Sequence, residues 1–223
     1  MLSDGNHMKQ KDVFLQSEGD AWFSRNQQSL AERLLPDEDE LILEIINLAS
    51  NTSEKLKILE IGCGDGSRLE WIKNNLNIDC YGIDPSAKAV EVASKRGIKT
   101  LQGTADHLPY ENKEFDIVVL GFCLYLCDRD DLFLIASEVD RVLKRSSWLL
   151  VMDFYSPIPI SNDYHHCPGL QSFKMDYRAL FSWHPAYECM KHKVVHHSNM
   201  KQTDDKNEWI AVSVLRKNEG GGS

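Results

Sequence analysis

Short apolar runs alternate along the chain with segments in which apolar residues recur every three or four positions. The runs are typical of buried strands, and the recurring positions are typical of amphipathic helices. The predicted strands are 57–61, 79–84, 98–101, 115–120, 147–153, 187–196 and 209–215. The predicted helices are 20–31, 37–48, 66–75, 86–95 and 130–143.

This alternation predicts an α/β fold. Because parallel strands need crossover connections, the order of elements predicts a doubly wound, mostly parallel sheet with helices on both faces. The last two strands are expected to close the sheet as a hairpin, which makes it seven-stranded. In such a sheet a ligand binds beyond the carboxyl ends of the strands, at the point where the strand order reverses.

We expect one domain over residues 13–217, with helices at 13–50 before the sheet and a long insertion at 154–185. Three prolines exclude one regular helix across the insertion, and a long loop at this edge of an α/β sheet commonly carries substrate residues. The mostly polar residues 1–12 are predicted to be disordered, and the glycine-rich tail 218–223 is predicted to be flexible.

A glycine-rich turn follows the first predicted strand. Gly62, Gly64 and Gly66 are spaced two apart, directly before a helical pattern. Such glycines permit positive φ and let the backbone approach a ligand, although a tight turn can also need them for structure alone. The second strand ends in Asp84 and Pro85, where a βαβ nucleotide-binding unit places the carboxylate that holds ribose hydroxyls. Together these features indicate a site for a small, partly anionic ligand.

Three ordered motifs resemble those of the class I S-adenosylmethionine-dependent methyltransferases. Glu60–Gly66 has the family's acidic-x-Gly-x-Gly-x-Gly spacing, and not the Gly-x-Gly-x-x-Gly spacing of dinucleotide enzymes. Gly103–Tyr110 is similar to the family's adenine-contacting loop, and Phe115–Leu120 is similar to its fourth strand. The resemblance is clear over 55–150 and looser as far as Lys217. It implies a seven-stranded, Rossmann-like fold with an N-terminal helical lid, and S-adenosylmethionine as the cofactor.

The resemblance also implies where the cofactor would bind. Glu60 would lie beneath its amino group, Asp84 would hold its ribose hydroxyls, and Arg25 would meet its carboxylate, because similar N-terminal segments cover the cofactor in relatives. The other residues expected to contact it belong to the same motifs. They are Gly62, Cys63 and Gly64 at the methionine end, Pro85 after Asp84, Ala105 and Asp106 at the adenine edge, and Gly121 and Phe122 beside the sulfonium.

The chain departs from the family pattern in two places. Many relatives carry a histidine shortly after the fourth strand, whereas Cys123–Cys127 contains none, so the role of that histidine is absent or passes to Tyr125. Relatives also often have Pro-Gly-Gly where Arg145–Ser147 stands in this chain. The shape of that turn therefore does not carry over from the family.

Two segments are expected to complete the site. The segment Phe14–Asn26 is rich in aromatic and charged residues, and it is either a helix packed on the domain or a lid over cofactor and substrate. The second segment is the insertion, together with the end of the fifth strand. The predicted substrate-binding residues in these two parts are Trp22, Asp153, Tyr164, Lys174 and Tyr177.

Histidines are the candidate proton acceptors. Methyl transfer is an in-line displacement, in which the enzyme aligns the nucleophile and removes its proton, and histidine suits this near neutral pH. Adjacent histidines in an extended loop point to opposite sides, so we predict that at most one of His165 and His166 is the base. Both could instead only hydrogen-bond the loop to the body. His196 and His197, at the end of a predicted strand, are interpreted as structural.

Composition limits the classes of partner. The 223-residue chain has a formal net charge of −9 and a pI near 5.4, which argues against nucleic acid and favours a small-molecule substrate. Six cysteines without a Cys-x-x-Cys pair are typical of a reduced, cytoplasmic protein, and no metal site is expected at Cys123 and Cys127. No apolar run is long enough to span a bilayer, so no membrane anchor is expected. The oligomeric state is left open.

The expected reaction is methyl transfer from S-adenosylmethionine to an oxygen or nitrogen of a small polar metabolite. The Tyr-His-His and Lys-Met-Asp-Tyr elements are similar to those of methyltransferases of polysaccharide and modified-sugar biosynthesis, so a sugar or nucleotide-sugar is the candidate acceptor. The alternatives are a non-catalytic S-adenosylmethionine-binding subunit and an enzyme that uses the cofactor for another reaction. The glycine spacing disfavours a dinucleotide-dependent oxidoreductase.

Overall fold

The computed structural model describes residues 9–37 and 39–219. The predicted tail at 220–223 and the first eight residues lie outside the described part of the chain. The strands are β1 (Leu56–Ile61), β2 (Ile78–Asp84), β3 (Lys99–Gln102), β4 (Phe115–Gly121), β5 (Leu143–Phe154), β6 (Ile160–Asp163), β7 (Gln171–Lys174), β8 (Tyr187–His196) and β9 (Trp209–Lys217). The α-helices are α1 (Gln10–Val13), α2 (Gly19–Ala31), α3 (Glu40–Ala49), α4 (Ser67–Asn75), α5 (Ala87–Lys95), α6 (Leu132–Val142) and α7 (Ala179–Ser182).

Seven of these strands form one sheet, in the order β3-β2-β1-β4-β5-β9-β8. β1 pairs in parallel with β2 and with β4, whereas β9 pairs antiparallel with β5 and β8. The predicted doubly wound, mostly parallel α/β sheet with a closing hairpin is therefore confirmed. The strand order reverses between β1 and β4, so the binding crevice of this fold lies beyond their carboxyl ends.

Both faces of the sheet are buried. Along β4, Ile117 and Val119 belong to the apolar cluster under α3 and α4, whereas Val118 and Leu120 belong to the cluster under α6 and α7. The four side chains are fully buried, which is why the strand is continuously apolar instead of alternating between apolar and polar. The predicted helices on both faces are confirmed.

Two element boundaries differ from the prediction for local reasons. The helix predicted from residue 37 begins at Glu40, because the Asp39 carboxylate caps it by accepting hydrogen bonds from the N–H groups of Leu41 and Ile42, both 3.1 Å long. The fifth strand begins at Leu143 and not at residue 147. It contains an irregularity at Ser146, whose φ is +53°, and its pairing with β4 shifts register there.

The N-terminal segment is helical from Gln10 onwards, which corrects the prediction that residues up to 12 are disordered. α1, a π-helical turn at Phe14–Glu18 and α2 follow one another without a break. Gln10 is buried, and its side-chain amide donates to the carbonyl oxygens of Leu126 and Gln171 at 2.9 and 3.1 Å. These tertiary contacts explain why a mostly polar stretch is ordered here.

The insertion contains regular structure. β6 and β7 pair as an antiparallel hairpin outside the main sheet. The connection between them includes the turn Tyr164–Cys167, which is closed by a hydrogen bond from the Cys167 N–H to the Tyr164 carbonyl oxygen at 3.1 Å. Among the described residues, no helix is both long and apolar enough to cross a membrane.

Candidate active site

The glycine turn after β1 needs glycine at two positions for different reasons. At Gly62, where φ is +77°, an added Cβ would lie 2.8 Å from the Cβ of Cys123, so neighbouring chain leaves no room for a side chain. At Gly64, where φ is +54°, the nearest atom to an added Cβ is Leu30 Cδ1 at 3.8 Å. An added Cβ at Gly64 would make only an ordinary contact with Leu30, so the left-handed backbone conformation alone requires glycine there.

A cavity of about 600 Å³ opens beside this turn, at the carboxyl ends of β1, β2 and β4 and beneath α2. Its size is that of a small-molecule site. Most of the residues that the sequence placed at the site line this one cavity. They are Trp22, Glu60, Gly62, Cys63, Gly64, Asp84, Pro85, Ala105, Asp106, Gly121, Phe122, Tyr164, His165, His166 and Lys174.

Asp84 connects β2 to the glycine turn. Its carboxylate accepts a hydrogen bond from the Gly64 N–H and another from the Ser86 N–H, each 2.9 Å long. Burial raises the pKa of Asp84 to about 6, although both backbone hydrogen bonds act in the opposite direction. The side chain is 9% exposed, so this carboxylate is held at the edge of the cavity by backbone donors.

A buried charge cluster forms the floor of the cavity below the turn. Arg68 donates to Glu60 Oε1, and its Nε lies 2.9 Å from Asp39 Oδ2. Burial raises the pKa of Glu60, against the opposing effect of Arg68. Glu60 Oε2 is buried, yet no hydrogen-bond partner for it exists among the described residues. An unsatisfied buried carboxylate oxygen in a cavity wall fits a cationic group of a ligand.

The predicted contact of Arg25 with a cofactor carboxylate is not supported, because Arg25 does not line the cavity. Its guanidinium binds Glu18 and donates to the Tyr164 hydroxyl at 3.0 Å, which ties α2 to the insertion. Arg33, after α2, lines the cavity instead. Its only ionic contact within the described chain is a long one, 3.3 Å to Asp39, so its guanidinium has donors to spare.

The N-terminal helices lie over the cavity and also pack on the domain through the buried Phe23, so both interpretations of this segment fit its position. Trp22 and Leu30 line the cavity from above. At one end, Lys11 Nζ lies 2.5 Å from the Asp106 carboxylate and 2.8 Å from that of Asp131. At the other end, Asp20 accepts a hydrogen bond of 2.7 Å from the Ser86 hydroxyl. The segment is therefore anchored on both sides of the opening.

Aromatic side chains form the opposite wall, where β4 and β5 end. Phe122 has a φ of +53°, an uncommon conformation for a residue with a side chain. Its ring centroid lies 5.4 Å from those of both Phe154 and His197. Tyr125 lies 5.0 Å from Phe154, and its hydroxyl accepts a hydrogen bond of 3.1 Å from Trp22 Nε1. Burial raises the pKa of Tyr125, so this hydroxyl is neutral at physiological pH.

The two histidines of the insertion lie together, which corrects the prediction that they point to opposite sides. His165 and His166 occupy the middle of a turn and not an extended strand, so their rings pack with centroids 4.0 Å apart. Both line the cavity, and both are exposed to solvent at its opening. Burial and the neighbouring positive groups lower the pKa of His166.

Two predicted substrate ligands lie outside the cavity. Asp153 is buried, and its carboxylate accepts hydrogen bonds from the N–H groups of Leu124, Tyr125 and Phe154, so it acts as a cap for the chain after β4. Tyr177 is also buried, and its hydroxyl donates to the Phe173 carbonyl oxygen at 3.1 Å.

Sequence reasoning missed several residues of the cavity wall. Phe154, Tyr125 and Arg33 were not assigned to the site as ligands, and His197 was interpreted as structural, yet all four line the cavity. His197 follows the last residue of β8, so the alternation rule for strands did not apply to it. No protein group hydrogen-bonds its ring nitrogens within the described part of the chain.

Residues 59–151 match a family model described as a methyltransferase domain. The chain is 31% identical over 143 residues to the uncharacterized methyltransferase YcgJ of Bacillus subtilis, a match covering 60% of this chain and 54% of that protein. It is 31% identical over 129 residues to the fatty-acid O-methyltransferase of Mycolicibacterium smegmatis, covering 53% and 46%. The chain thus spans about half the length of these curated relatives.

A solved structure with the same fold is the 1,6-didemethyltoxoflavin-N1-methyltransferase of Burkholderia thailandensis, with bound 1,6-didemethyltoxoflavin and S-adenosylhomocysteine. The two folds superimpose with a TM-score of 0.68 at 12% sequence identity, over 93% of this chain and 89% of the other. At this identity the likeness concerns the fold alone.

Proposed function

We infer that this chain, whose residues 59–151 match a methyltransferase domain, is a class I methyltransferase that binds S-adenosylmethionine and transfers its methyl group to an oxygen or nitrogen of a small metabolite. The observation that carries the proposal is the cavity itself. It joins the glycine turn, the buried Asp84 carboxylate and an unsatisfied oxygen of Glu60 at the point where the strand order reverses. Bound there, the cofactor supplies a methyl group activated by a positively charged sulfur.

The cavity residues support a role for each polar end of the cofactor. Glu60 Oε2, which has no other partner in the described chain, is the proposed acceptor for the amino group. Arg33 replaces Arg25 as the proposed ligand of the carboxylate, because Arg33 lines the cavity and Arg25 does not. Asp84 is the proposed ligand of the ribose hydroxyls, and Ala105 and Asp106 lie where the adenine is expected.

The acceptor site is proposed on the other side of Phe122. His165 and His166 are the candidate proton acceptors from the sequence, and their exposure places them at the opening of the cavity. A sugar or nucleotide-sugar acceptor rests on the Tyr-His-His and Lys-Met-Asp-Tyr elements alone. The relatives do not select an acceptor, since one is named for a fatty acid and a structural neighbour is named for 1,6-didemethyltoxoflavin.

Calorimetric titration with S-adenosylmethionine, S-adenosylhomocysteine and NAD tests the cofactor assignment. The expected result is binding of the two sulfur compounds and none of NAD. The matched variants are Arg33→Gln, which should weaken binding, and Arg25→Gln, which should leave it nearly unchanged. Binding of NAD, or equal effects of the two variants, would contradict the assignment.

Mass analysis of the product separates methyl transfer from the two alternatives. A non-catalytic subunit would bind the cofactor and give no product with any acceptor. An enzyme that uses the cofactor differently would give products other than the methylated acceptor and S-adenosylhomocysteine.

The six unpaired cysteines support the cytoplasmic location that forms part of this proposal.

A further inference from the structure

Five aromatic side chains form a continuous surface on the acceptor side of the cavity, here called the aromatic wall: Trp22, Phe122, Tyr125, Phe154 and His197. Adjacent rings are in contact. The centroids of Phe122, Phe154 and His197 lie 5.1 to 5.4 Å apart, and Tyr125 lies 5.0 Å from Phe154. Rings at such distances offer flat faces and edges that favour another aromatic ring.

The backbone holds this wall in place. Phe122 is fixed in its left-handed conformation by a hydrogen bond of 2.8 Å from its N–H to the Met152 carbonyl oxygen. The Asp153 carboxylate binds the N–H groups of both Tyr125 and Phe154, so it positions two members of the wall without lining the cavity. Strain and buried polar contacts of this kind are typical of functional sites.

The charges around the wall disfavour a polyhydroxylated ligand. The acidic residues that line the cavity belong to its cofactor side, at β1, β2, the loop after β3 and the start of α6. On the acceptor side the positively charged residue that lines the cavity is Lys174. Its Nζ already donates a hydrogen bond of 2.6 Å to the Asn207 carbonyl oxygen. The carbon faces of Phe122 and Phe154 offer no hydrogen-bond partner, so sugar hydroxyl groups that face these rings would stay unpaired, which costs affinity at each one.

We propose that the aromatic wall binds a planar aromatic or heteroaromatic acceptor, and that His197 accepts the hydrogen bond of its reacting hydroxyl or ring N–H. This rests on the proposed function. His197 packs against Phe122, beside which the reacting sulfur is expected, and its ring nitrogens have no partner among the described residues. In the reaction the acceptor atom bonds to the methyl carbon, that carbon's bond to sulfur breaks, the electron pair stays on sulfur, and the acceptor proton passes to His197.

Paired probes test the preference for a flat ring. Titration of the protein saturated with S-adenosylhomocysteine uses 1-naphthol and its saturated analogue decahydro-1-naphthol, which share a hydroxyl and a carbon skeleton, and methyl glucoside as the sugar. We expect 1-naphthol to bind at least about tenfold more tightly than the other two. Equal affinity for the two ring systems, tighter binding of the sugar, or binding of none would overturn the proposal. The first step, saturation with S-adenosylhomocysteine, fails only if the proposed function is wrong.

A matched pair of variants tests whether the wall causes this preference. Phe154→Leu should reduce the ratio of affinities for 1-naphthol and decahydro-1-naphthol several-fold. Phe133→Leu is the control, because Phe133 is 73% exposed on α6 and does not line the cavity. Phe133→Leu should also bind S-adenosylhomocysteine as the unmodified chain does, and each variant is saturated with this compound before the titration. A preference that survives Phe154→Leu unchanged would remove the wall from acceptor binding.

The role of His197 is tested by comparing 1-naphthol with naphthalene, which lacks the hydroxyl. His197→Phe keeps a ring in the wall and removes the nitrogens, so it should lower the 1-naphthol to naphthalene affinity ratio by about fivefold to tenfold. His196→Phe is the control, since the His196 Nδ1 contacts Ser198 and the residue does not line the cavity. An unchanged ratio in His197→Phe would exclude the hydrogen bond.

Discussion

Gly64 illustrates how one residue serves both the fold and the site. Its left-handed backbone conformation makes any residue with a side chain unfavourable at this position. The absence of a side chain also keeps this part of the cavity free for a ligand. We expect Gly64→Ala to lower the free energy of unfolding by about 1 kcal/mol and also to weaken S-adenosylmethionine binding at least tenfold. Gly169→Ala is the matched control, because Gly169 has a φ of +90° with nothing within 4 Å. Similar loss of stability in both, with weaker binding only in Gly64→Ala, is the expected result of denaturation and calorimetry.

Asp84 gives a second prediction at this scale. Asp84→Ala removes the charged acceptor proposed for the ribose hydroxyls, so S-adenosylmethionine affinity should fall by about 1 to 3 kcal/mol. Asp79→Ala is the control on the same strand, because Asp79 is partly exposed and its one ion pair among the described residues is with Lys55. Calorimetry on both variants measures the difference. Unchanged affinity in Asp84→Ala would mean that the ribose lies elsewhere.

Kinetic measurements distinguish whether a histidine of the insertion or His197 accepts the proton. If His166 is the proton acceptor, His166→Ala should lower turnover at least tenfold and leave cofactor affinity nearly intact, because the loss is confined to the acceptor step. His165→Ala is the natural comparison, since the two rings are in contact. Unchanged turnover in both variants would remove the pair from the mechanism and leave His197 as the candidate.

At the scale of elements, the N-terminal helices are held by side chains at their start. The Gln10 side chain makes three hydrogen bonds: its Nε2 donates to the carbonyl oxygens of Leu126 and Gln171, and its Oε1 accepts from the Gln171 N–H. Gln10→Leu should therefore increase amide hydrogen exchange in residues 10–18 by roughly tenfold, the effect of losing about 1 to 3 kcal/mol of local stability.

The control for this change is Gln27→Leu. Gln27 is exposed on α2, so exchange in the same segment should stay as it is in the unmodified chain. Added S-adenosylhomocysteine should slow exchange in both variants, because a ligand beneath the helices stabilises the closed arrangement. Equal exchange in the two variants would show that Gln10 does not anchor the lid.

The elements themselves were largely predictable from the sequence, because strand and helix periods are local signals. The strand predicted at 187–196 coincides with β8. The glycine turn, Asp84 and Phe122 line one cavity, as expected from the order of the motifs along the chain. What failed depends on distant contacts. Arg25 lies within α2 and contacts the insertion, whereas Arg33 follows the end of α2 and lines the cavity. His197 lines the site because β8 ends beside Phe122. The pattern of neighbouring residues in the sequence does not show which distant residues a side chain will contact.

At the scale of the whole molecule, three buried carboxyl groups lie at the carboxyl ends of strands in the same sheet. Burial raises the pKa of Asp84 to about 6, that of Asp153 to about 7, and that of Glu60 above its usual range. Their ionisation at neutral pH opposes folding. In the proposed function the ammonium group of the cofactor contacts Glu60 and its ribose hydroxyls contact Asp84, so binding should recover part of this cost.

This arrangement determines the sign of the dependence of stability on pH. A carboxyl group whose pKa is higher in the folded state binds its proton more tightly there, so the free energy of unfolding falls as pH rises from the unfolded value near 4 through the folded value. We expect Asp84 and Asp153 together to account for a loss of about 4 kcal/mol between pH 5 and pH 8. The lowered pKa values of His166, His192 and His197 act in the opposite direction below pH 6.5.

Denaturant unfolding at pH 5, 6.5 and 8, at constant ionic strength, measures this loss. Asp84→Asn cannot ionise, so its stability should fall less over the same range, whereas Asp79→Asn, on the surface of the same strand, should follow the unmodified chain. S-adenosylhomocysteine should flatten the profile of the unmodified chain more than that of Asp84→Asn, because in the variant only the proposed contact of its ammonium group with Glu60 remains. Stability that rises between pH 5 and pH 8 would mean that the histidines outweigh the buried carboxyl groups.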